Sequence, residues 1–312
     1  MCEVAVITTG FFDGVHLGHR HVLETVVSSA RERGEEAVVV TFWPHPRTVL
    51  QQDAREFRLL SSLEEKKAML AACGIDRVEV LPFTREFASM TAADYLAMLR
   101  DRFGATLVVM GYDNRIGSDC LTAADLSGAG TEVPVLVSKP LVLGGSVIAN
   151  PTHADEVCHS ERSEESPVIS STQIRKALEE GRVTDANAML GYRYGLFGVV
   201  VAGNRMGRTI GFPTANMQLY EPLKLVPKDG VYAVEVEVMG KRYKGMCNIG
   251  VRPTVDGKAR TIETHILDFE EDIYGLPLQL HFVRRIRDER KFPSLDALKV
   301  QLMQDKIIAK LV

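Results

Sequence analysis

The sequence has few of the features that mark secreted, membrane-spanning or nucleic-acid-binding proteins. Its five cysteines are odd in number, scattered and form no CxxC pair, which argues against a disulfide framework and a structural zinc site. No apolar run approaches the roughly 18 residues of a membrane span, and the N-terminus lacks a basic region followed by an apolar core. The formal net charge of -4 leaves no basic footprint for nucleic acid. We therefore expect a cytoplasmic protein with reduced thiols that binds neither membranes nor nucleic acid.

The composition that remains is that of a globular protein with room for two domains. The chain has 312 residues, of which 46% are hydrophobic and 25% charged. Near residue 186 the pattern changes from alternating apolar and amphipathic segments to short alternating strands. We predict that residues 1–186 form one domain and residues 187–312 a second.

The first domain has the pattern of a parallel sheet with crossover helices. Ser62 with Glu65, and Thr91 with Asp94, have the spacing of helix capping boxes. Short apolar runs predict strands at residues 4–7, 37–42, 78–81 and 107–110. We expect a doubly wound, Rossmann-like α/β domain whose ligands lie at the carboxyl ends of the strands.

The rest of the chain divides into a polar insert and an all-β segment. Residues 151–167 are dense in charge and nearly free of apolar side chains, so they are either a plain insertion or a mobile lid. After Gly191, apolar and polar residues alternate between Gly, Asp-Gly and Pro, as they do in antiparallel hairpins. We predict a small closed β-barrel, followed by a terminal helix that Ser294 caps.

The stretch VITTGFFDGVHLGH, residues 6–19, follows the first predicted strand. Gly10 and Gly14 permit a tight turn, and the next helix directs its N-terminal amides towards that turn, where a phosphate would be bound. His16 and His19 lie on one face of that helix. The two histidines could contact phosphate, bind a metal with at least one further ligand, or be buried structural imidazoles.

Two motifs at opposite ends of the first domain resemble those of the nucleotidyltransferase superfamily. GFFDGVHLGH resembles the HxGH motif, and ISSTQIR, residues 169–175, resembles the second signature. The resemblance implies that both histidines stabilise charge on the ATP phosphates. Class I aminoacyl-tRNA synthetases share HxGH, but their second signature is a lysine-rich loop that ISSTQIR does not match. The ATP-binding residues implied are Gly10, Phe11, Gly14, Gly18, Ser171 and Thr172, with Arg175 beside the two histidines in catalysis. Ser171 could also be a plain helix cap.

Two further loops resemble the substrate pocket of bacterial FAD synthetases. TFWPHPRTVL follows the second strand and MGYDNRIG the fourth, and Ile116 stands where that family usually has Phe. The resemblance implies a flavin site that contains Phe42, Pro44, His45, Pro46, Asp113 and Arg115. Ordinary core packing is the alternative role for Phe42.

In the second domain, GNRMGRTIGFPTAN, residues 203–216, resembles the flavokinase motif. Its glycines permit a loop that surrounds phosphates, and a hydroxyl and an amide carbonyl suit Mg²⁺. The resemblance implies that Thr214 and Asn216 bind Mg²⁺ and that the phosphate loop contains Gly207, Arg208, Gly211 and Pro213.

The strand segment TIETHILDF supplies Glu263, which by pattern alone could be a surface carboxylate. The flavokinase resemblance makes it the general base for the ribityl 5′-hydroxyl. CNIGVRPTVDG and RRIRDERKF resemble flavokinase segments near the ligands, which implies flavin contacts by Asn248, Arg252 and Arg287.

Together these motifs cover nearly the whole chain and resemble the family of bacterial bifunctional riboflavin kinase/FMN adenylyltransferases. The resemblance implies that the second domain converts riboflavin to FMN with MgATP and that the first converts FMN and ATP to FAD and pyrophosphate. Its substrates would be ATP, riboflavin and FMN, with Mg²⁺ as cofactor, no tightly bound prosthetic group and no obligate protein partner. A chain with one live activity, or a flavin sensor without turnover, is the alternative.

Overall fold

A computed structural model describes residues 4–50, 57–112, 114–128, 131–138, 141–143, 146–148, 169–203, 206–254 and 257–312. The insert at 151–167 therefore lies outside the described residues. The chain divides into two compact units, Met1–Gln173 and Ile174–Val312. The predicted boundary after residue 186 lies later in the chain, within a helix at Val183–Leu190, and stays a prediction.

The first unit contains a five-stranded parallel sheet, as predicted. Its strand order is β3-β2-β1-β4-β7, with β1 at the centre. The elements are β1 Ala5–Thr9, α1 Leu17–Arg33, β2 Glu36–Trp43, α2 Pro46–Leu50, α3 Leu63–Ala72, β3 Arg77–Pro82, α4 Arg85–Ala88, α5 Ala92–Phe103, β4 Ala105–Gly111, β5 Arg115–Ile116, β6 Leu121–Thr122, α6 Ala123–Gly128, β7 Val135–Ser138, β8 Leu141–Leu143 and β9 Ser146–Ile148. The helix α7, Ser171–Glu179, begins in this unit.

Local sequence signals explain where these helices begin and end. The Ser62 hydroxyl accepts a hydrogen bond from the Glu65 amide, and the Glu65 carboxylate accepts one from the Ser62 amide, so the predicted capping box is confirmed. Gly34 and Gly104 end α1 and α5 in the left-handed conformation, at φ 67° and 70°.

Alternate residues of the central strands pack into cores on the two faces of the sheet. Ile7 and Val40 pack with Leu99 of α5 on one face, whereas Val6 and Val39 pack on the α1 face. Because β1 is buried on both faces and flanked by β2 and β4, the loops that follow these three strands emerge at one edge. The sheet thereby places the predicted ligand loops together.

The second unit is a closed six-stranded antiparallel barrel with a terminal helix, also as predicted. The barrel order is β10-β11-β14-β13-β12-β15. Its elements are α8 Val183–Leu190, β10 Gly195–Val201, α9 Met206–Thr209, β11 Ala215–Leu219, β12 Gly230–Val238, β13 Lys241–Thr254, β14 Gly257–Ile266, β15 Pro277–Arg287 and α10 Leu295–Lys310. Ser294 caps α10 by accepting a hydrogen bond from the Ala297 amide at 3.2 Å.

One face of the barrel wall packs against α10. Ala233 and Met246 form a cluster with Ala309 of this helix. Asn248 lies two residues beyond Met246 on β13, so its side chain leaves the sheet on that same face. Among the described helices of both units, none is long and apolar enough to cross a bilayer.

Candidate active sites

His16 and His19 form a stacked pair at the start of α1. Their ring centroids lie 3.6 Å apart with 16° between the planes, and the side chains are 1% and 5% exposed. His16 is the N-cap, and its Nδ1 accepts from the His19 amide at 3.4 Å. A neutral His16 ring therefore has its proton on Nε2, which is its hydrogen-bond donor. The pair is positioned to offer hydrogen bonds to a group bound at the N-terminal end of α1.

The turn before this helix has an unusual backbone. Phe12, Gly14 and Val15 have φ values of 52°, 77° and 36°, and Val15 is β-branched. Only glycine adopts this region without strain, so other contacts must hold Phe12 and Val15 there. The amide of Gly10 donates to the Val40 carbonyl and that of Gly14 to Ser61 Oγ, each near 3 Å. These two glycines thus shape the turn while their amides bond to the protein.

A buried carboxylate ties this turn to the start of α3. Asp13 is 0% exposed and accepts from the amides of Leu60 and Ser61 at 2.9 Å and from Ser61 Oγ at 3.1 Å. Asp13 lies within GFFDGVHLGH, but neither it nor Ser61 was among the predicted site residues. The only available signal was an acidic residue inside a glycine-rich turn, and its partners lie 47 and 48 residues later.

His45, from the loop after β2, reaches the same turn. Its ring meets that of Phe11 edge-on at 4.0 Å and that of Phe57 at 4.2 Å, and the side chain is 1% exposed. Its Nδ1 accepts from the Arg47 amide. The structure therefore joins a predicted flavin residue, His45, to a predicted ATP residue, Phe11. Pro44 is exposed next to it, and Pro46 begins α2.

The other predicted flavin residues of the first unit are more dispersed. Phe42 packs against Phe83 and Phe87 with centroid separations of 5.9 and 5.3 Å, so core packing accounts for part of its role. Arg115 is exposed on β5. Asp113 lies outside the described residues.

The second nucleotidyltransferase signature lies at the start of α7. Ser171 is buried, and its hydroxyl donates to the Asp13 carbonyl at 3.1 Å, which links it to the turn after β1. The helix is capped by Ser170, which accepts from the Gln173 amide, and not by Ser171. Thr172 is exposed, whereas Arg175 is 7% exposed and lies in the second unit.

In the barrel, strand register places three polar residues side by side. Asn216 of β11 pairs with Glu263 of β14, and Glu263 pairs on its other side with Asn248 of β13. Directly paired residues project on the same face of a sheet, so this row offers a carboxylate between two amides. All three side chains are half-buried. Such a row has both a base and hard oxygen donors for a metal.

The loop before β11 packs closely on this row. A Cβ on Gly203 would lie 2.2 Å from Asn216 Nδ2, and one on Gly207 would lie 2.2 Å from the Phe212 carbonyl. Both positions therefore need glycine for a close approach. Arg208 and Gly211 are exposed in the same loop.

His265 fixes the end of that loop. Its Nδ1 donates to the Pro213 carbonyl at 2.8 Å, just before Thr214. Burial lowers the pKa of the His265 imidazole, which favours the neutral ring. The contact joins residues 52 positions apart, so it could not be read from the sequence.

Arg287 pairs with a carboxylate of the terminal helix, and its predicted flavin contact stays a prediction. Its guanidinium pairs with the fully buried carboxylate of Asp305 on α10, at 2.8 Å. That pair attaches β15 to the terminal helix. The side chain of Arg252 lies outside the described residues, although its backbone belongs to β13.

Comparison with known proteins matches both halves of the chain. The family model for FAD synthetase matches residues 2–146, and the model for riboflavin kinase matches residues 190–312. The bifunctional riboflavin kinase/FMN adenylyltransferase of Bacillus subtilis (strain 168) is 36% identical over 97% of this chain and 90% of its own. That of Escherichia coli (strain K12) is 36% identical over 99% of this chain and 92% of its own.

A solved structure shares the fold over nearly the whole chain. It is a crystal structure described as a macrolide-efflux protein from Streptococcus pneumoniae, with a TM-score of 0.87 and 33% identity. The match covers 99% of this chain and 95% of the Streptococcus chain. The efflux description is that of the Streptococcus protein.

Proposed function

Because the chain belongs to the family of bifunctional riboflavin kinase/FMN adenylyltransferases, we propose which of its residues perform each reaction. The C-terminal flavokinase domain phosphorylates riboflavin to FMN, and the N-terminal FAD synthetase domain adenylylates FMN to FAD. One observation supports the division of labour. Each unit has its own constellation, the His16–His19 pair in the first and the Asn216–Glu263–Asn248 row in the second.

In the first unit, a phosphate oxygen of FMN attacks the α-phosphorus of ATP. The bond between that phosphorus and the oxygen bridging to the β-phosphate breaks, and pyrophosphate leaves. His16 and His19 donate hydrogen bonds to the phosphate oxygens as negative charge shifts to the leaving group. The first-turn amides of α1 add the helix dipole. The resemblance of ISSTQIR is the support for Arg175, which is counted with the second unit, as a further cation for the ATP phosphates. Catalysis is therefore by positioning and electrostatics.

Further residues of the first unit bind the two substrates. The turn that contains Gly10, Phe11 and Gly14, together with Gly18 in the first turn of α1, receives the ATP phosphates. Ser171 and Thr172 complete the proposed phosphate contacts. FMN lies beside His45, whose ring borders this turn. The remaining proposed flavin contacts are Phe42, Pro44, Pro46, Asp113 and Arg115.

In the second unit, the ribityl 5′-hydroxyl of riboflavin attacks the γ-phosphorus of ATP, and ADP leaves. Glu263 accepts the hydroxyl proton, because it supplies the carboxylate of the row. The loop with Gly207, Arg208, Gly211 and Pro213 surrounds the nucleotide phosphates. Asn248, Arg252 and Arg287 are the proposed riboflavin contacts.

The donor set of the second unit fits Mg²⁺. The Asn216 amide lies directly across from the Glu263 carboxylate, and Thr214 is held at the loop end by the His265–Pro213 bond. Thr214 and Asn216 would hold the ion through a hydroxyl and an amide oxygen. A bound Mg²⁺ neutralises negative charge on the phosphates. We place both reactions in the cytoplasm, where reduced cysteines are expected.

Two substitutions test the assignment. Glu263→Gln should abolish FMN formation and leave FAD formation from supplied FMN unchanged, since it removes the base and keeps the side-chain size. His19→Ala should lower FAD formation at least about 100-fold and leave FMN formation unchanged. The readout is chromatography of flavins after incubation with MgATP and either riboflavin or FMN.

Matched controls lie nearby in the chain. His21→Ala changes a partly exposed histidine on the same helix, and Glu271→Gln an exposed glutamate of the barrel domain. Both should retain the two activities. If Glu263→Gln or His19→Ala removed both activities in a folded protein, the two-site assignment would be wrong.

The same chromatography separates the alternatives for the unmodified protein. Riboflavin, MgATP and inorganic pyrophosphatase should yield FAD. Accumulation of FMN alone would mean that the first domain is inactive, and unchanged riboflavin would mean that the chain binds flavin without turnover.

A further inference from the structure

Lys66 is a fully buried cation that the proposed mechanism does not use. It lies on α3, in the first turn after the capping box, and is 0% exposed. Burial of a lysine costs free energy unless its ammonium finds acceptors, so a wholly buried lysine needs a specific reason. The neighbouring Lys67 has 40% of its side chain exposed and pairs with Glu64, as a surface lysine does.

The Lys66 ammonium is directed at the turn after β1. Its Nζ donates to the Phe11 carbonyl at 2.8 Å and to Thr41 Oγ1 at 3.2 Å. The Thr41 hydroxyl donates to the same Phe11 carbonyl at 3.2 Å. Nζ also lies 3.7 Å from the centroid of the Phe11 ring. One carbonyl of the turn is therefore held by two donors.

This carbonyl lies at the start of the strained backbone. It belongs to the peptide between Phe11 and Phe12, and Phe12 and Val15 follow at φ 52° and 36°. Such residues are strained and persist only where surrounding contacts hold them in place. Lys66 and Thr41 fix one end of the turn, and the Asp13 contacts to Leu60 and Ser61 fix its middle.

Charge also couples the two residues that hold this turn, Lys66 at the Phe11 carbonyl and Asp13 at the Leu60 and Ser61 amides. Asp13 is the acidic group that favours the charged form of Lys66, against the opposing effect of burial. Lys66 and the partners of Asp13 all belong to the segment from Leu60 to Lys66, just before and within the first turn of α3. The segment from Leu60 to Lys66 thus supports the conformation of the turn after β1.

We propose that Lys66 is a positioning residue for FMN adenylylation, whose ammonium holds the Phe11 carbonyl so that the turn keeps the shape that receives the ATP phosphates. The inference rests on the proposed adenylylation site at His16 and His19. It extends that site to a residue that touches neither substrate.

The test is Lys66→Met, which keeps the length of the chain and removes the charge and the donors. In FAD formation from FMN, we expect the KM for ATP to rise about tenfold and kcat to fall about tenfold, because the phosphate site is no longer held in shape. The KM for FMN should change less than twofold. FMN formation from riboflavin in the same chain should be unchanged.

The KM for ATP distinguishes positioning from simple loss of folded protein, which would lower kcat alone. Lys67→Met is the matched control and should resemble the wild type in both reactions. A folded Lys66→Met protein whose KM for ATP and kcat stay within about twofold of wild type would overturn the proposal.

A second variant keeps the test decisive if Lys66→Met fails to fold. Thr41→Val removes the other donor to the Phe11 carbonyl at nearly constant volume, and should raise the KM for ATP about threefold. An unchanged KM for ATP in that variant would also overturn the proposal. Normal kinetics in the Lys66 variant beside an inactive His19→Ala would refute this inference alone, whereas an active His19→Ala would refute the adenylylation site itself.

Discussion

Burial changes the acid–base chemistry of single side chains in this protein, and Lys66 is the clearest case. Burial lowers the pKa of its ammonium from 10.5 to about 8, although Asp13 opposes the shift. The unfolded chain, in which the pKa is ordinary, binds the proton more tightly than the folded chain between pH 8 and 10.5. Deprotonation of Lys66 should therefore raise the free energy of unfolding as the pH rises through this window, by about 3 kcal/mol at most.

A comparison of variants isolates this contribution. The single tryptophan, Trp43, lies on β2, so its fluorescence reports unfolding of the first unit. In urea titrations at pH 7 to 10, the stability of wild type relative to Lys66→Met should rise with pH above about 8. The stability of wild type relative to the exposed Lys67→Met should stay constant with pH, because both proteins keep Lys66. A difference from Lys66→Met that stays flat across the range would show that Lys66 titrates normally in the folded state.

At the scale of elements, α3 links stability to the adenylylation site. Ser62→Ala removes the hydroxyl that accepts from the Glu65 amide at 3.1 Å, which should lower the free energy of unfolding by about 1 kcal/mol. Urea unfolding followed by Trp43 fluorescence measures it. Ser294→Ala removes the equivalent cap of α10 in the other unit and serves as control. Equal losses in the two variants would contradict a local capping effect.

Helices and strands were predictable where a local signal defined both ends. Four sheet strands, the Ser62 box and the glycine stops at Gly34 and Gly104 all follow from neighbouring residues. The short pairs β5–β6 and β8–β9 were not predicted, because two or three residues are too few for a periodic pattern. The predicted domain boundary after residue 186 lies within α8 and stays a prediction.

At the scale of the whole molecule, we propose that the two reactions use separate sets of residues in one chain, with FMN the product of one reaction and the substrate of the other. An equimolar mixture of Glu263→Gln and His19→Ala chains should therefore convert riboflavin to FAD, whereas neither variant alone should. Chromatography of the flavins over time measures this. FMN that accumulates in the mixture without FAD would show that FMN from one chain cannot serve another, and would contradict the prediction.

The sequence by itself determined the family, the two-domain order and the residue types of both sites. These depend on short contiguous motifs, HxGH, ISSTQIR and GFPTAN, in which the chemistry is carried by residues a few positions apart. The residues that begin helices, and the alternation of apolar and polar residues in the barrel strands, are also signals carried by residues a few positions apart. The predicted roles of individual site residues, including the flavin contacts, stay predictions.

Only the tertiary structure decided what holds these motifs in place. In the turn after β1, Asp13 bonds to Leu60, 47 residues later, and the Phe11 carbonyl bonds to Lys66, 55 residues later. Glu263 gains Asn216 and Asn248 as neighbours through strand register. Burial converts these contacts into constraints, because a polar group removed from water must be satisfied by whatever the fold brings to it. No local pattern specifies that partner, so the support of each site could be found only in the folded chain.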